Sequence, residues 1–556
     1  MLEPAGRIPQ VPGHWVKRVT WVGLAAAFLA SISPLRTADL DMWHQMALFR
    51  QALAQGWLPR DDTFAYTPTV SPVIHHEWGH GAVLYLLTVA AGTGAAGLMA
   101  LKYLLSAAVA IGCVRCGLRR GADWQVVAWL GLLAIGLGRI GFTTVRAQVF
   151  TLLFVVLLLL LLEEDRRGRR WWIALWLPAY VIWVNIHAGF VVGLGLLALY
   201  TVEQALRELG QGTRAPTEGW SGGLPRAVGH LLATLLAMVG LMLVNPYGSE
   251  YVAYLFRAIA LERPLVGEWR PLWEQPQHPE TLLIYGVSLA VVIYAVVRRG
   301  VRGLPGLLAV LATAYLAARH VRHLSIYAVV WICYLPAYLK GTGLERLIVD
   351  FGARRRRLLV CFWSFAAAAG LIWAVSNHFW QLRMPTTQEE AEPGTPIYPA
   401  GAVAYLAEQE FSGNLMVPFD VGAFVSWRLY PQVKVSLDSR YEAAYPPGAV
   451  EESVRFYAGQ RGWQAVLDRY DTDAVLVPCW SPLREIPIVQ RVAEEPGWPP
   501  GWRLVYRDDG YCLFARSEIA AGLPATDRTG EPIPASFPRC GRQTTGRGED
   551  SAGGSD

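Results

Sequence analysis

Charge is scarce in this sequence. Asp, Glu, Lys and Arg together make up 17% of the 556 residues, whereas 53% are hydrophobic and the mean hydropathy is +0.29. This balance excludes an ordinary soluble enzyme. Apolar runs such as residues 152–162 and 231–244 have no polar face, so they belong in lipid or deep in a helix bundle. The composition therefore predicts a polytopic membrane protein.

Lysine and cysteine are also rare. There are four lysines, so the formal net charge of +5 comes almost entirely from arginine. The seven cysteines show no zinc-type spacing. Cys479 and Cys512 both lie in the C-terminal region, where a disulfide is permitted if that region is outside the cytoplasm, and their pairing stays open. The same region has too few basic residues to predict a nucleic-acid partner.

Eleven stretches are long and apolar enough to cross a bilayer, which takes roughly 17–25 residues. They are residues 19–35, 98–115, 125–141, 147–163, 171–187, 189–206, 227–244, 281–297, 303–318, 323–339 and 358–376. A twelfth apolar stretch, residues 78–97, is ambiguous.

The arginines decide the orientation, because Lys and Arg concentrate on cytoplasmic loops. If residues 78–97 do not cross, the clusters Arg119–Arg120, Arg166–Arg170 and Arg354–Arg357 all fall on the same side as the N-terminus. If they cross, nearly all of these clusters move outside. We therefore predict that residues 78–97 lie at the outer interface or enter the membrane only partly. The expected topology has a cytoplasmic N-terminus, eleven spans in the inner (plasma) membrane and an extracytoplasmic C-terminal domain.

Composition also divides the chain into domains. Residues 1–376 form the membrane domain, with a first outer loop at 36–97, and residues 377–399 form a polar, proline-containing linker. Residues 400–520 mix helical and strand-like patterns, which predicts an α/β domain. Residues 521–556 have the composition of a disordered tail. The predicted fold class is an α-helical polytopic membrane protein with a C-terminal extracytoplasmic α/β domain.

Polar residues gather at the predicted outer ends of the spans. Placing ionisable side chains at membrane depth costs free energy, so a cluster of them predicts a functional site. Asp39 and Asp41 directly follow the first span, and in an extended backbone they face the same way. Two such carboxylates can share a metal ion or divide into a general base and its orienting group.

Four arginines at the same ends of the spans are candidates to hold a phosphate, because guanidinium offers a planar fork of donors. They are Arg139, Arg146, Arg319 and Arg322. Arginines at a membrane boundary also snorkel to lipid head groups, and this alternative stays open. Seven further residues are candidates to line a substrate or acceptor pocket: His44, His75, His76, Glu77, His187, Glu268 and His320.

The segment HEWGH, residues 76–80, matches the HExxH pattern of zinc metalloproteases. A protease needs this pattern inside a regular helix together with a third ligand, whereas here it lies at a helix start beside two glycines. The protease therefore stays a minor alternative, and we expect His76 and Glu77 to line a polar site of another kind. With Asp39 they are also candidate ligands of a divalent metal such as Mg²⁺ or Mn²⁺.

Several segments resemble multispan bacterial proteins grouped with the GT-C glycosyltransferases. They are ADLDMWHQ after the first span, the G-x-L-P-R-x-D-x-F-x-Y-T stretch at 56–67, then VRAQVF, WVNIHAGF, NPYG, EWRP and RHVRHLS, and residues 419–441 of the outer domain. The resemblance implies that Asp39 or Asp41 takes the place of the first-loop acid thought to activate the acceptor. It also implies a sugar donor on a polyprenyl phosphate, transferred with inversion.

The expectation from this resemblance is an integral-membrane glycosyltransferase. It would move a sugar from a polyprenyl-phosphate donor to a glycan, lipid or protein acceptor on the extracytoplasmic face, with Asp41 as general base. The alternative from another class is a non-enzymatic membrane carrier or assembly scaffold whose outer domain binds a partner.

Overall fold

The computed structural model describes residues 12–143, 145–211, 228–261, 263, 266–275, 279–391, 395–479, 501–527 and 529–530. By its contacts the chain divides into two units. The first comprises Met1–Leu58 and Ile74–Arg383, and the second comprises Pro59–Val73 and Met384–Asp556. Residues 59–73, which sequence places in the outer loop of the membrane domain, thus belong to the second unit.

The first unit is helical. Its α-helices are α1 (Gly13–Ile32), α2 (Leu40–Gln55), α3 (Trp78–Tyr85), α4 (Gly94–Arg119), α5 (Trp124–Gly138), α6 (Ala147–Arg166), α7 (Trp172–Ile186), α8 (Phe190–Gln211), α9 (Gly229–Leu241), α10 (Ser249–Ala260), α11 (Pro279–Arg299), α12 (Leu307–Arg319), α13 (Leu324–Tyr338), α14 (Gly343–Arg354) and α15 (Arg356–Ser376). A π-helical turn, Leu86–Ala90, continues α3. Short 3-10 helices occur at Arg139–Phe142, Gly267–Trp269, Leu272–Glu274, Val301–Gly303 and Val321–His323.

Seven helices among the described residues are long and apolar enough to span a membrane. They are α1, α4, α5 with its 3-10 extension, α6, α8, α11 and α15. The number rises to eight if α13 and α14, which meet at an angle of 84°, form one broken span. Three other predicted spans correspond to α7, α9 and α12, which have 15, 13 and 13 residues and are shorter than an ordinary span of about 20. The ambiguous stretch forms a short apolar helix, Trp78–Ala90.

Burial distinguishes the inner helices from those that face lipid. Side chains of α6 and α13 are buried along most of their length. In contrast, α11 and α15 expose large apolar side chains such as Val297 (75% exposed) and Phe365 (73%). Lipid tails solvate such side chains, whereas water does not. The chain is a multi-pass, mainly α-helical membrane protein.

Helix α6 runs between the two polar ends of this unit. Its 20 residues make it about 30 Å long, which is about the thickness of the hydrocarbon core. Arg146 precedes its first turn, and its last turn carries three buried acids, Glu163, Glu164 and Asp165. These acids pair with arginines at the ends of α4 and α6; the Arg120 Nη2 to Glu163 Oε1 distance, for example, is 2.7 Å. The basic clusters and the predicted site therefore lie at opposite ends of α6, and which end is cytoplasmic stays a prediction.

The second unit is built on a six-stranded mixed sheet in the order β2-β1-β3-β5-β4-β6. Strands β1, β2 and β3 are parallel, β5 is antiparallel to β3 and β4, and β6 is parallel to β4. The elements are α16 (Ala400–Glu408), β1 (Gly413–Met416), α17 (Gly422–Leu429), β2 (Val433–Val435), α18 (Pro447–Tyr457), α19 (Ala465–Arg469), β3 (Ala474–Pro478), β4 (Trp502–Arg507), β5 (Tyr511–Arg516), α20 (Ser517–Ala520) and β6 (Thr526–Asp527). The unit is α/β, as the sequence predicts.

Strand β6 extends the ordered part of this unit past the predicted boundary at residue 520. Thr526 and Asp527 pair with Tyr506 and Arg507 of β4. Residues 528 and 531–556 of the predicted tail lie outside the described residues.

A buried arginine holds the inserted segment 59–73 in the second unit. Arg440 Nε donates to Asp438 Oδ1 at 2.8 Å, Nη2 donates to Asp438 Oδ2 at 2.7 Å, and Nη1 donates to Asp62. Asp62 in turn accepts the backbone N–H groups of Phe64 (3.1 Å) and Ala65 (2.6 Å). Because all three charged side chains are almost fully buried, each charge depends on the others.

Replacing Asp62 by Ala should therefore destabilise the second unit by about 3–5 kcal/mol, since the loss of one partner leaves a buried charge uncompensated. Thermal unfolding of the full chain in detergent, combined with limited proteolysis, measures this. The exposed Glu451 provides the matched control as Glu451→Ala. Equal stability of the two variants would contradict the role given to Asp62.

Candidate functional site

The site is centred on Arg146, which caps the start of α6 in an extended conformation. Its Nε lies 2.8 Å from Asp39 Oδ2, and its Nη1 lies 2.9 Å from Glu268 Oε2. Its Nη2 lies 3.7 Å from Asp41 Oδ2. One guanidinium thus brings together carboxylates from the loop after α1, from the first turn of α2 and from the 3-10 helix Gly267–Trp269.

The loop that carries Asp39 is held from two sides. Lys102 of α4 is buried, and its Nζ donates to the carbonyl oxygens of Ile32 (3.0 Å) and Leu35. Ala38 N–H donates to Arg383 O at 2.8 Å, next to an isolated β-bridge between residues 37 and 383. These contacts fix the end of α1 and set the position from which α2 begins.

The sequence predicts that Asp39 and Asp41 lie together in an extended segment. The structure differs, because Asp41 lies in the first turn of α2. Asp39 is the N-cap of α2, and its Oδ1 accepts the Asp41 N–H at 3.0 Å. Aspartate is a preferred N-cap because its carboxylate satisfies an otherwise unpaired N–H of the first turn. The two acids consequently differ: the side chain of Asp39 is 14% exposed and bound on both oxygens, whereas that of Asp41 is 33% exposed and more weakly held.

Arg322 is the second guanidinium of the site, and its surroundings differ from those of Arg146. Its Nη1 is 3.9 Å from Glu268 Oε1, which is beyond hydrogen-bonding distance. Its guanidinium carbon instead lies 4.6 Å from the centre of the Trp269 ring. A cation over an aromatic face is oriented without using up its N–H donors. Arg322 is therefore positioned beside Glu268 by the Trp269 ring.

Backbone contacts keep Arg322 beside Trp269. Val321 N–H donates to Arg270 O at 3.2 Å, and His320 Nδ1 lies 2.7 Å from Trp269 O. Gln148 of α6 donates to Arg322 O at 2.8 Å. The predicted site residue His320 thus contacts the backbone of the segment that carries Glu268.

Two of the four predicted phosphate-binding arginines are not part of this cluster. Arg139, in the 3-10 extension of α5, and Arg319, at the end of α12, are both exposed. Among the described ion pairs, Arg146 and Arg322 are the arginines joined to Glu268.

Glu77 forms a neighbouring group with two histidines. Its Oε1 lies 3.4 Å from His187 Nε2 and 3.8 Å from His76 Nε2, and its Oε2 accepts from Gln45 Nε2. Gln45 Oε1 is 2.6 Å from His80 Nδ1. The amide of Gln45 therefore links Glu77 to His80, so His80 carries its proton on Nδ1.

The tautomer of His187 follows from its donors. Trp183 Nε1–H donates to Thr151 Oγ1 at 3.0 Å, which leaves the Thr151 hydroxyl to donate to His187 Nδ1 at 2.7 Å. Gly189 N–H donates to the same Nδ1 at 3.1 Å. Because Nδ1 accepts, the ring proton is on Nε2, which faces Glu77.

Burial shifts the protonation of several groups in the site. It raises the pKa of Glu77 to about 8, assisted by the negative charge of Asp41. It raises the pKa of Asp39 to about 7, against the opposing effect of Arg146. Burial also lowers the pKa of His187 well below 6.5, so its ring is neutral. The guanidinium of Arg146 has a raised pKa, chiefly because of Asp39.

The remaining predicted pocket residues surround this group. The His76 ring stacks on Tyr254 with centroids 5.3 Å apart, and the His75 ring lies 6.4 Å from Tyr247. His44 is partly buried on α2 and lies close enough to His80 to affect its charge.

The predicted ligands Asp39, His76 and Glu77 are not arranged as one divalent-metal centre. Among the described residues, no group of three or more His, Cys, Asp or Glu side chains is arranged to hold a metal ion. Of the predicted ligands, Asp39 is engaged by Arg146, whereas Glu77 and His76 belong to the neighbouring group. The HEWGH segment does not form one helical face either, because α3 begins at Trp78, after His76.

Three residues of the site carry no signal in the sequence. Gln45 and Thr151 are uncharged residues within helical patterns, and Trp269 reads as an interfacial aromatic. The spacing of Gln45 one helical turn after Asp41 is the one available hint, since it places both on a shared face of α2.

The chain is similar to the crystal structure of the Archaeoglobus fulgidus oligosaccharyltransferase tethered with an acceptor peptide containing the NVT sequon via a disulfide bond. The two are 12% identical, the TM-score is 0.49, and the match covers 91% of this chain and 74% of that chain. No family model and no curated protein matches the chain.

The raised pKa of Glu77 makes a prediction about stability. Between its ordinary value of 4.5 and about 8, the folded chain binds more protons at this site than the unfolded chain does, so stability falls as pH rises through that interval. In the unfolded chain His187 still loses protons just above pH 6.5, which adds an opposing slope, but this slope is the same in the wild type and in Glu77→Gln. From pH 6.5 to about 8, the wild type should therefore lose more thermal stability than Glu77→Gln.

Thermal unfolding of the purified protein at several pH values measures this slope. The exposed Glu274, replaced as Glu274→Gln, is the matched control and should keep the wild-type slope. An unchanged slope in Glu77→Gln would show that Glu77 does not hold a proton in the folded state.

Proposed function

We propose that this protein is an integral-membrane glycosyltransferase of the GT-C type. It transfers a sugar from a polyprenyl-phosphate donor to an acceptor on the extracytoplasmic face, with inversion at the anomeric carbon. The observation that carries the proposal is the grouping of Asp39, Asp41 and Glu268 around Arg146, with Arg322 beside them, at one end of α6. A partly exposed carboxylate next to an available guanidinium suits transfer of a group from a phosphate.

Asp41 is the better candidate for the general base. Asp39 is committed to Arg146 and to the Asp41 N–H, whereas Asp41 is 3.7 Å from the nearest guanidinium nitrogen and is more exposed. In the proposed step, Asp41 takes the proton of the acceptor hydroxyl or amide, and the acceptor attacks the anomeric carbon opposite the phosphate. This help contributes on the order of 10² to 10⁴ in rate. Asp39 positions Arg146 and the start of α2.

Arg322 is the better candidate for binding the phosphate. Arg146 is already engaged by carboxylates, so a phosphate would have to displace one of them. The guanidinium of Arg322 is oriented by Trp269 and keeps donors that can bind phosphate oxygens. As the sugar leaves, negative charge grows on the phosphate, and a fixed cation lowers the energy of that transition state.

The second candidate function is a membrane carrier, and the apolar middle of α6 is evidence against it. From Phe150 to Leu162 its sequence is apolar apart from Thr151, and this stretch connects the site to the basic end of the helix. Helix α6 therefore offers an ion or sugar no continuous polar path across the bilayer.

The function can be tested by incubating the purified protein in lipid with a panel of radiolabelled polyprenyl-phosphate sugars. We expect label to leave the lipid for at least one donor. Asp41→Asn should reduce turnover by at least about a hundredfold at unchanged expression, because the amide cannot accept the proton. The exposed Asp350 of α14, replaced as Asp350→Asn, is the control. Near-normal transfer by Asp41→Asn would remove Asp41 from this role.

Arg319, the last residue of α12, and Arg322, in the 3-10 helix that follows it, give a matched pair. Arg322→Gln should raise the KM for the lipid-linked donor on the order of tenfold to a hundredfold, the usual value of hydrogen bonds to a charged group. It should leave the KM for the acceptor unchanged. Arg319→Gln should resemble the wild type because Arg319 is exposed and outside the cluster. Equal effects of the two substitutions would mean that both arginines merely contact lipid.

A further inference from the structure

Two cysteines of the second unit face each other across adjacent antiparallel strands. In the pairing of β3 with β5, Val477 is opposite Cys512 and Pro478 is opposite Tyr511. The ladder continues for one more residue, because Cys479 N–H donates to Gly510 O at 2.8 Å. Cys479 is thus two positions beyond Val477, and its side chain lies on the same face of the sheet as that of Cys512. The two Sγ atoms are 3.2 Å apart.

The turn between β4 and β5 holds the start of β5 in place. Asp508 Oδ1 accepts the N–H groups of Gly510 at 2.9 Å and Tyr511 at 2.7 Å. The Tyr511 hydroxyl donates to Ile397 O at 2.6 Å. Cys512 therefore leaves a tightly bonded turn, and its position relative to Cys479 does not depend on the two thiols themselves.

The surroundings of the two thiols favour a bond between them. Cys512 is 5% exposed and belongs to a hydrophobic cluster with Met416, Phe456 and Trp463, and Cys479 packs against the same cluster. Since Cys479 is only partly buried, a reagent can reach it. A covalent bond needs the sulfur atoms at about 2.05 Å, so small rotations of the two side chains are sufficient.

The other described cysteines lie outside the second unit. Cys113, Cys116 and Cys333 are buried in α4 and α13, and Cys361 is exposed on α15. All four belong to the membrane unit. The remaining cysteine, Cys540, lies outside the described residues.

We propose that Cys479 and Cys512 form a disulfide in the mature protein. The oxidant is the disulfide of a thiol–disulfide oxidoreductase in the compartment that holds the second unit. The thiolate of Cys479, the more exposed of the pair, attacks that disulfide and forms a mixed disulfide, releasing one thiol of the oxidant. The thiolate of Cys512 then displaces the second thiol. Two protein thiols are oxidised, one disulfide of the oxidant is reduced to two thiols, and the two protons end on those thiols.

The bond has a structural consequence and a topological one. It ties the end of β3 to the start of β5 and thereby restricts the unfolded chain between residues 479 and 512, which stabilises the folded unit. It also requires an oxidising compartment, because cytosolic thiols are kept reduced. The proposal therefore depends on the predicted extracytoplasmic position of the second unit, and it is independent of the proposed glycosyl transfer.

The test uses the full chain in isolated membranes. Free thiols are blocked with N-ethylmaleimide in denaturant, disulfides are reduced, and the newly exposed thiols are labelled with a second alkylating reagent. Peptide mass spectrometry then assigns each label. We expect the second label on Cys479 and Cys512, and a linked peptide pair that contains both residues when the reduction is omitted. Blocking of both thiols by N-ethylmaleimide before reduction would overturn the proposal.

Variants make the test specific. Cys479→Ser should shift Cys512 to the first label, and Cys512→Ser should do the same to Cys479. Cys361→Ser is the control and should change neither. The unfolding temperature of the second unit should fall on treatment of the wild type with dithiothreitol and should not respond in Cys479→Ser. A second label on Cys512 in the Cys479→Ser variant would show a different partner and would contradict the pairing.

Discussion

The ion cluster around Arg146 is the interaction on which the rest of the site depends. A guanidinium at the start of α6 binds carboxylates from the loop after α1 and from the segment between α10 and α11, so distant parts of the chain meet at one point. Arg146, Asp39 and Glu268 are largely shielded from solvent, so removing one charge leaves its partners poorly compensated. The same cluster fixes where α2 begins, since Asp39 is both its N-cap and a partner of Arg146.

The cluster also gives similar residues different roles. Of two acids, Asp39 is held on both oxygens and Asp41 is not; of two arginines, Arg146 is surrounded by carboxylates and Arg322 is oriented by an aromatic ring. Burial raises the pKa of the neighbouring acid Glu77, which lies between a histidine of fixed tautomer and an amide. The proposed transfer needs such asymmetry: some groups would hold the geometry, and others would be left for the acceptor and the leaving phosphate.

The sequence predicts many of the residues that meet in the site. The predictions that are wrong have physical reasons. Ionisable residues at alternate ends of apolar stretches predict a common polar end, and Asp39, Arg146 and Glu268 do meet there. Sequence cannot tell which way a side chain at a helix end points, so Arg319 was predicted equally with Arg322 although it is exposed. Hydropathy locates apolar stretches but does not give the lengths of the helices they form. For this reason, only seven of the eleven predicted spans are helices of full length among the described residues. Uncharged residues such as Gln45 give no signal until the fold places them.

The central claim is that Asp41 and Arg322 together receive the acceptor and the phosphate. The most direct measurement is a cryo-EM reconstruction of the full chain in lipid nanodiscs with a polyprenyl-phosphonate sugar, which cannot be cleaved. The account predicts phosphonate density within hydrogen-bonding distance of the Arg322 guanidinium, the anomeric carbon facing Asp41, and the contacts of Arg146 with Asp39 and Glu268 retained. Phosphonate density bound elsewhere, with Asp41 directed into open solvent away from the sugar, would contradict it.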